Sequence, residues 1–189
     1  VTSVLPQGLN EGPFKTSPVP KELDWDAWQG PTAAVEYVKE RCHFSFRYWT
    51  EYSGGTLTDW GAHHNDIALW GIGLERSGPV EIEGKALVEM IPDGFTAASE
   101  YEVNYTYANG VSHSCKSTPA DTWSGGIADK NGQRNGVKFE GGDGWIWVTR
   151  GKIDASNPES LTQPLPSNAQ RVYLSNGQMG NFFECVRWR

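Results

Sequence analysis

The sequence predicts an α+β domain, with helices in its first part followed by an open, mainly antiparallel sheet that the helices cover on one face. Two observations carry this prediction. Helical patterning runs to about Trp70, and from Val80 onward the pattern switches to strand alternation punctuated by Asn109-Gly110 and Gly141-Gly142-Asp143 turns.

Taken in order, Val1–Leu5 reads as a short apolar strand, and Pro6–Pro20 is a Gly/Pro-rich connection that contributes no core. Trp25 and Trp28, three apart, fit one helical turn that Gly30-Pro31 ends, and Thr32–Lys39 offers a second short helix. Cys42–Tyr52 is dense in aromatic residues and leads into a further helix, whose buried side is read as Ile67, Leu69 and Trp70. Val80–Met90 and Tyr101–Tyr107 alternate as half-buried strands, and Asn109-Gly110 turns the chain into Val111–Lys116. Gly136–Glu140, Gly144–Thr149 and Lys152–Ala155 continue the sheet, and Gln170–Leu174 adds an edge. Asn181–Trp188 reads as a helix cut short. The sheet face away from the helices is expected to carry Tyr, Trp and Thr side chains and to serve as a subunit interface.

The most informative stretch is Tyr52–Trp70. It sets Asp59 and His63 four residues apart at the start of a helix, on one helical face, where a carboxylate can orient an imidazole and favour its protonated form. A histidine so placed can take a proton from an alcohol near neutral pH. Alone, such a pair is more often a capped surface pair. Here Asp59, His63, His64 and Asp66 crowd into eight residues that hold half of the histidines of the chain, which favours a site. Asp59 and His63 could also reach one metal ion, but no third ligand follows at familiar spacing, so no metal is assigned. The aromatic residues just upstream are the walls that a sugar-like ligand prefers, since its C–H faces stack on rings.

Composition narrows the function. With 189 residues, one substantial core is expected. A net charge of −7 with no basic stripe argues against nucleic acid or an anionic membrane surface as partner. No apolar run is long enough to span a bilayer, and Val1–Pro6 lacks a signal-peptide profile. The three cysteines, Cys42, Cys115 and Cys185, are odd in number and far apart, which fits buried reduced thiols and a reducing, cytoplasmic compartment. The chain has no initiator Met and stops in mid-pattern at Arg189, so it is read as part of a longer protein.

Familiar cofactor motifs are missing. Gly71-Ile-Gly73-Leu-Glu-Arg76 comes nearest to a dinucleotide fingerprint, but it follows a helix and has Arg where the third Gly belongs. There is no Gly-x-Ser-x-Gly elbow and no phosphate loop.

The run Gly54-Gly55-x-Leu57-x-Asp59-x-Gly61-x-His63-x-x-Asp66, with Asn109-Gly110, Gly136–Gly141, Gly144-Trp145-Ile146 and Arg150-Gly151-Lys152, resembles the C-terminal domain of the glucose-fructose oxidoreductase/inositol dehydrogenase (Gfo/Idh/MocA) family. The resemblance covers nearly the whole chain, 1–189, which it implies is a single substrate-binding and oligomerisation domain. It further implies an N-terminal Rossmann domain, outside this chain, that binds NAD or NADP and supplies the family's Glu-Lys-Pro lysine, which has no match here. The implied reaction is hydride transfer at a hydroxyl carbon of a sugar or cyclitol. Asp59 would bind substrate and orient the base, and His63 would be the general acid/base. Arg47, Trp49, Tyr52 and His64 are candidate substrate contacts, and Asp66 is assigned to packing or capping. The resemblance also implies a homo-oligomer built through the open sheet face. Two other readings remain: a carbohydrate-binding module that stacks glycans on some of its nine tryptophans, and a non-catalytic dimerisation domain.

Overall fold

The structure, a computed structural model, describes residues 1–74, 76–117, 134–169, 171, 173–175 and 177–188. Its centre is a seven-stranded sheet made of β1 (Thr2–Leu5), β2 (Glu81–Ala86), β3 (Tyr101–Thr106), β4 (Ser112–Ser117), β5 (Gly136–Gly141), β6 (Gly144–Thr149) and β7 (Lys152–Ala155). The order across the sheet is β2-β3-β4-β1-β5-β6-β7. Every neighbouring pair is antiparallel except β1 and β4, which run parallel with Ser3 opposite Cys115 and Leu5 opposite Ser117. The architecture is α+β, as the change of periodicity implies.

Three short helices precede the sheet's first hairpin: α1 (Trp25–Gln29), α2 (Gly55–Asp59) and α3 (Gly61–Gly71). In α1, Asp24 caps the helix by accepting from the Ala27 N–H, and Gly30 stops it at φ 62°. The indoles of Trp25 and Trp28 stack there with ring centres 5.0 Å apart. The helix expected over Thr32–Lys39 does not form. Its backbone is spent on distant partners, with Val35 N–H donating to Gln29 Oε1 and the Tyr37 carbonyl accepting from Ser17 N–H. Only single-turn 3₁₀ geometry appears, at Lys39–Arg41, before a longer 3₁₀ stretch over His43–Tyr48.

The Pro6–Pro20 connection contributes more than the sequence implied. It is irregular, yet Leu9 and Phe14 pack against a buried cluster of Val38, Tyr48, Trp49 and Phe95. A second cluster lies between helices and sheet: Leu5, Tyr101 and Cys115 are buried there, with Leu57, Trp60, Val103 and Tyr105 against them. Burying a Leu such as Leu5 is worth about 2–3 kcal/mol.

Strand parity assigns the faces. Tyr101 and Tyr105 pair with Ser117 and His113, on the same side as Leu5, so both tyrosines face the helices and not the open side. The far face instead carries Thr2, Thr106, Trp145 and two sets of ion pairs, Lys85–Glu102–Lys116 and Lys138–Glu140. Trp147 lies on it over Gly136, where a β-carbon would meet the indole at 2.7 Å. The expected edge at Gln170–Leu174 is absent among the described residues: Arg171, Tyr173 and Leu174 are irregular, and Gln170 and Val172 lie outside them. A C-terminal helix does form, α4 (Gln178–Arg187), and none of its residues is buried.

Cys42 and Cys115 are buried free thiols, and burial pushes Cys115 up to about 11, with a hydrogen bond from Asn65 opposing. Cys185 departs from the expectation, being exposed on α4.

Two predictions follow from the packing. Gly94 is buried where a β-carbon would overlap the Glu11 carbonyl oxygen, so Gly94→Ala should cost about 1–3 kcal/mol. Gly78, with nothing within 4 Å, is the control, and its Ala variant should stay within about 0.5 kcal/mol in urea denaturation. Second, His113 is 2% exposed and its Nε2 lies 2.8 Å from Ser3 Oγ; chiefly through burial, its pKa is pushed from 6.5 down to about 4. Between those values the unfolded chain binds a proton that the folded chain refuses. Stability should therefore be complete above the ordinary histidine pKa and fall with pH toward 4, by roughly 3 kcal/mol from this group. Urea midpoints measured across that window should show the loss, and His113→Gln should flatten it.

Candidate functional site

The Gly54–Asp66 segment is built from its glycines upward. Gly55 starts α2 at φ 62° with Ala97 Cβ 2.9 Å from where its own would be, and Gly61 starts α3 against Leu5 of β1. The groups brought close to this backbone are therefore the chain's own. Between the two helices only Trp60 intervenes, at φ −74° and ψ −30°, so the chain stays nearly helical from Gly55 to Gly71.

The buried side of α3 is Gly61, His64 and Ala68, at helical spacing, and not the Ile67, Leu69 and Trp70 side read from the sequence. Trp70 is 46% exposed. The reason is a docking seam of small residues: α3 lies close over β1 and β5, and a β-carbon on Gly71 would overlap the Phe139 ring. Within this seam His64 is fully buried, and its Nε2 donates to Asn135 Oδ1 at 2.9 Å. Thr149 Oγ1 donates to the same oxygen at 3.4 Å. His64 is thus part of the helix-sheet joint.

His63, one residue earlier, points the other way and is exposed, with its ring edge-on to Trp60 at 6.3 Å. Asp59 ends α2, and its Oδ2 accepts from the Arg47 guanidinium at 2.5 Å, the side chains being 33% and 25% exposed. Among the described residues this ion pair, and not a bond to His63, engages the carboxylate. Arg47 also lies over the exposed Phe44 ring at 4.1 Å. On the other side Arg150, from the turn after β6, sits over the Trp60 indole at 4.8 Å. Sequence reasoning gave Arg150 no place in the site, although Arg150-Gly151-Lys152 after the Gly144–Thr149 strand was among the residues that carry the resemblance.

Trp49 lies in the core and Tyr52 packs against it. Trp49 is 3% exposed, its Nε1 donates to the Glu40 carbonyl, and Arg41 lies on its face at 3.9 Å. Tyr52 meets Trp28 edge-on at 4.8 Å. Asp66 is exposed on α3. Among the described residues no three of His, Cys, Asp or Glu converge to hold a metal ion, and no helix is long and apolar enough to cross a membrane.

The surface that results is an open one: an aromatic floor at Trp60, an imidazole, a carboxylate anchored by an arginine, and a second arginine. The family model for the oxidoreductase family C-terminal alpha/beta domain (Gfo/Idh/MocA) matches residues 9–189. The chain belongs to this family. The match takes in the whole segment from Arg47 to His64 and the sheet from β2 onward. No curated protein matches the chain.

Within this family member the two adjacent histidines separate cleanly in what they support. His64→Ala should cost about 2–4 kcal/mol, since it removes a buried hydrogen bond and opens a cavity in the helix-sheet joint. His63→Ala should stay within about 0.5 kcal/mol. Thermal and urea unfolding of the two variants beside the parent check both values.

Proposed function

We propose that this chain is the substrate-binding and proton-transfer half of an NAD(P)-dependent oxidoreductase acting on a hydroxyl carbon of a sugar or cyclitol. The observation that carries the reading is the contrast on α3: His64 is consumed by structure, while His63 stands exposed within a turn of an arginine-anchored Asp59. A buried joint needs one histidine there, not two.

A dinucleotide finds no cradle among the described residues. The nearest glycine pattern, Gly71 and Gly73, closes α3 instead of linking a strand to a helix, so the nucleotide is assigned to the family's other domain. When bound, a nicotinamide supplies the hydride acceptor. This chain's residues do the rest. Arg47 occupies Asp59 Oδ2 and holds the carboxylate still, leaving Oδ1 to accept a substrate hydroxyl. His63 takes the proton of the reacting hydroxyl as its carbon becomes a carbonyl, and returns it in reverse. Trp60, with the Arg150 guanidinium over its ring, borders the place of the substrate, and the open setting suits a site closed by a second domain. The far face of the sheet, with Trp145 under Lys138 at 5.6 Å, is assigned to contact between subunits. The buried free thiols Cys42 and Cys115 support a reducing, cytoplasmic setting.

His63→Ala in the intact dehydrogenase should lower kcat by roughly 10²- to 10⁴-fold with the fold unaffected, while the 189-residue chain alone should fold without oxidising a sugar or cyclitol in the presence of NAD or NADP. Steady-state rates on both proteins decide it. An unchanged kcat would leave His63 a surface residue, and turnover by the chain alone would place the cofactor site here.

A further inference from the structure

Strand β2 is one of the two edge strands of the sheet, unpaired on its outer side among the described residues, and all six of its residues are exposed. Its outward-facing groups can be identified. Ala86 lies opposite Tyr101, and the Leu87 N–H donates to the Glu100 carbonyl, so Leu87 belongs to a hydrogen-bonded pair with β3. By alternation from Leu87, Glu83 and Lys85 spend their backbone groups on β3, where the Val80 N–H donates to the Thr106 carbonyl at the start of the strand, while Ile82, Gly84 and Ala86 present theirs to the open edge. A long open edge is a template for another strand, and proteins commonly blunt it with charge. Here the charges alternate in sign, Glu83 and Lys85, on either side of Gly84.

The geometry points to a second copy of this chain as the occupant, with β2 pairing antiparallel to its own image about a two-fold axis through Gly84. The backbone allows only registers in which Ile82, Gly84 or Ala86 face one another in hydrogen-bonded pairs. Setting Ile82 opposite Gly84 puts Glu83 against its own copy, and setting Gly84 opposite Ala86 puts Lys85 against its own copy. The register with Gly84 opposite Gly84 places Glu83 opposite Lys85 twice, in the non-hydrogen-bonded positions where side chains come closest. On the other face the same register sets Ile82, 61% exposed, against Ala86, and beyond the strand ends brings Val80, 68% exposed, toward Val88. Lys85 now reaches Glu102 at 3.5 Å while remaining 65% exposed, so its ammonium has room for a second carboxylate. A β-carbon on Gly84 would meet only ordinary contacts, Val103 at 3.5 Å and the Glu102 carbonyl oxygen at 4.0 Å, and all of β2 is exposed. The two seven-stranded sheets would then run on as one.

Sedimentation velocity on the 189-residue chain over a concentration series, at low and high salt, tests this. The expected result is self-association, a dimer where this edge acts alone and a larger species where far-face contact adds to it, with an edge step weakened by salt, weakened roughly tenfold or more by Glu83→Lys or by Lys85→Glu, and restored when both substitutions are combined, since the double variant re-forms both pairs. A chain that stays monomeric overturns the proposal, as does a dimer indifferent to both single substitutions, which would be assembled through the far face of the sheet. The register has its own readout. In a Cys185→Ser background, chains carrying Glu83→Cys mixed with chains carrying Lys85→Cys should oxidise to the mixed disulfide ahead of either like pair, and a preference for a like pair overturns it.

Discussion

The structure depends on one short strand in the middle of the sheet. β2-β3-β4 and β5-β6-β7 are two antiparallel units, and among the described residues they meet only through Thr2–Leu5, which pairs parallel to β4 on one side and antiparallel to β5 on the other. Ser3, Val4 and Leu5 are each at most 2% exposed. Leu5 then supplies the floor on which α2 and α3 sit, so the helices bearing the candidate site are registered against the sheet by residues more than fifty positions earlier. The contacts that unite the fold are therefore among its most non-local, the kind formed late because loop closure must precede them.

This constraint also explains what could be read from the sequence. β3 to β7 are legible because each has local alternation and a local turn, Asn109-Gly110 or Gly141–Asp143, so near neighbours decide the outcome. The parallel pairing of β1 with β4 is not legible, since Ser3 and Cys115 are over a hundred residues apart and no local pattern encodes their meeting. Thr32–Lys39 misled for the same reason: Gln29 and Ser17 claim backbone groups that a helix would have used. In α3 the large apolar residues suggested a buried side, but a helix docking closely buries its small residues and turns the large ones outward.

The site divides along similar lines. Asp59 and His63 stood out because polar, titratable residues crowded one short segment, a local signal. Which partner would hold Asp59 was less visible, because an i,i+4 rule looks only along the helix, and Arg47 reaches in from the preceding 3₁₀ turns, 12 residues earlier. Trp49 and Tyr52 sit as close to the motif in sequence as Arg47 does. Their rings are drawn inward by Phe95, Phe14 and Trp28, since burying an aromatic ring outweighs keeping it for a ligand. Arg150 is over eighty residues from Trp60, so its contact belongs to topology alone.

The buried histidine sets the geometry of the exposed one. Asn135 Oδ1 can only accept, so the proton of His64 must sit on Nε2, and that hydrogen bond fixes how far α3 is rotated about its axis over β5. Successive residues on a helix diverge by about 100°, so fixing His64 inward leaves His63 no choice but to face out beside Trp60. The proposed site would need one imidazole held still on an open surface, and the helix that carries it is held from beneath: by Leu5 under Gly61, by Phe139 under Gly71, and by the His64–Asn135–Thr149 joint between them. The adjacent histidines are thus one structural unit: the buried imidazole anchors the helix, and that anchoring sets the direction in which the exposed one points.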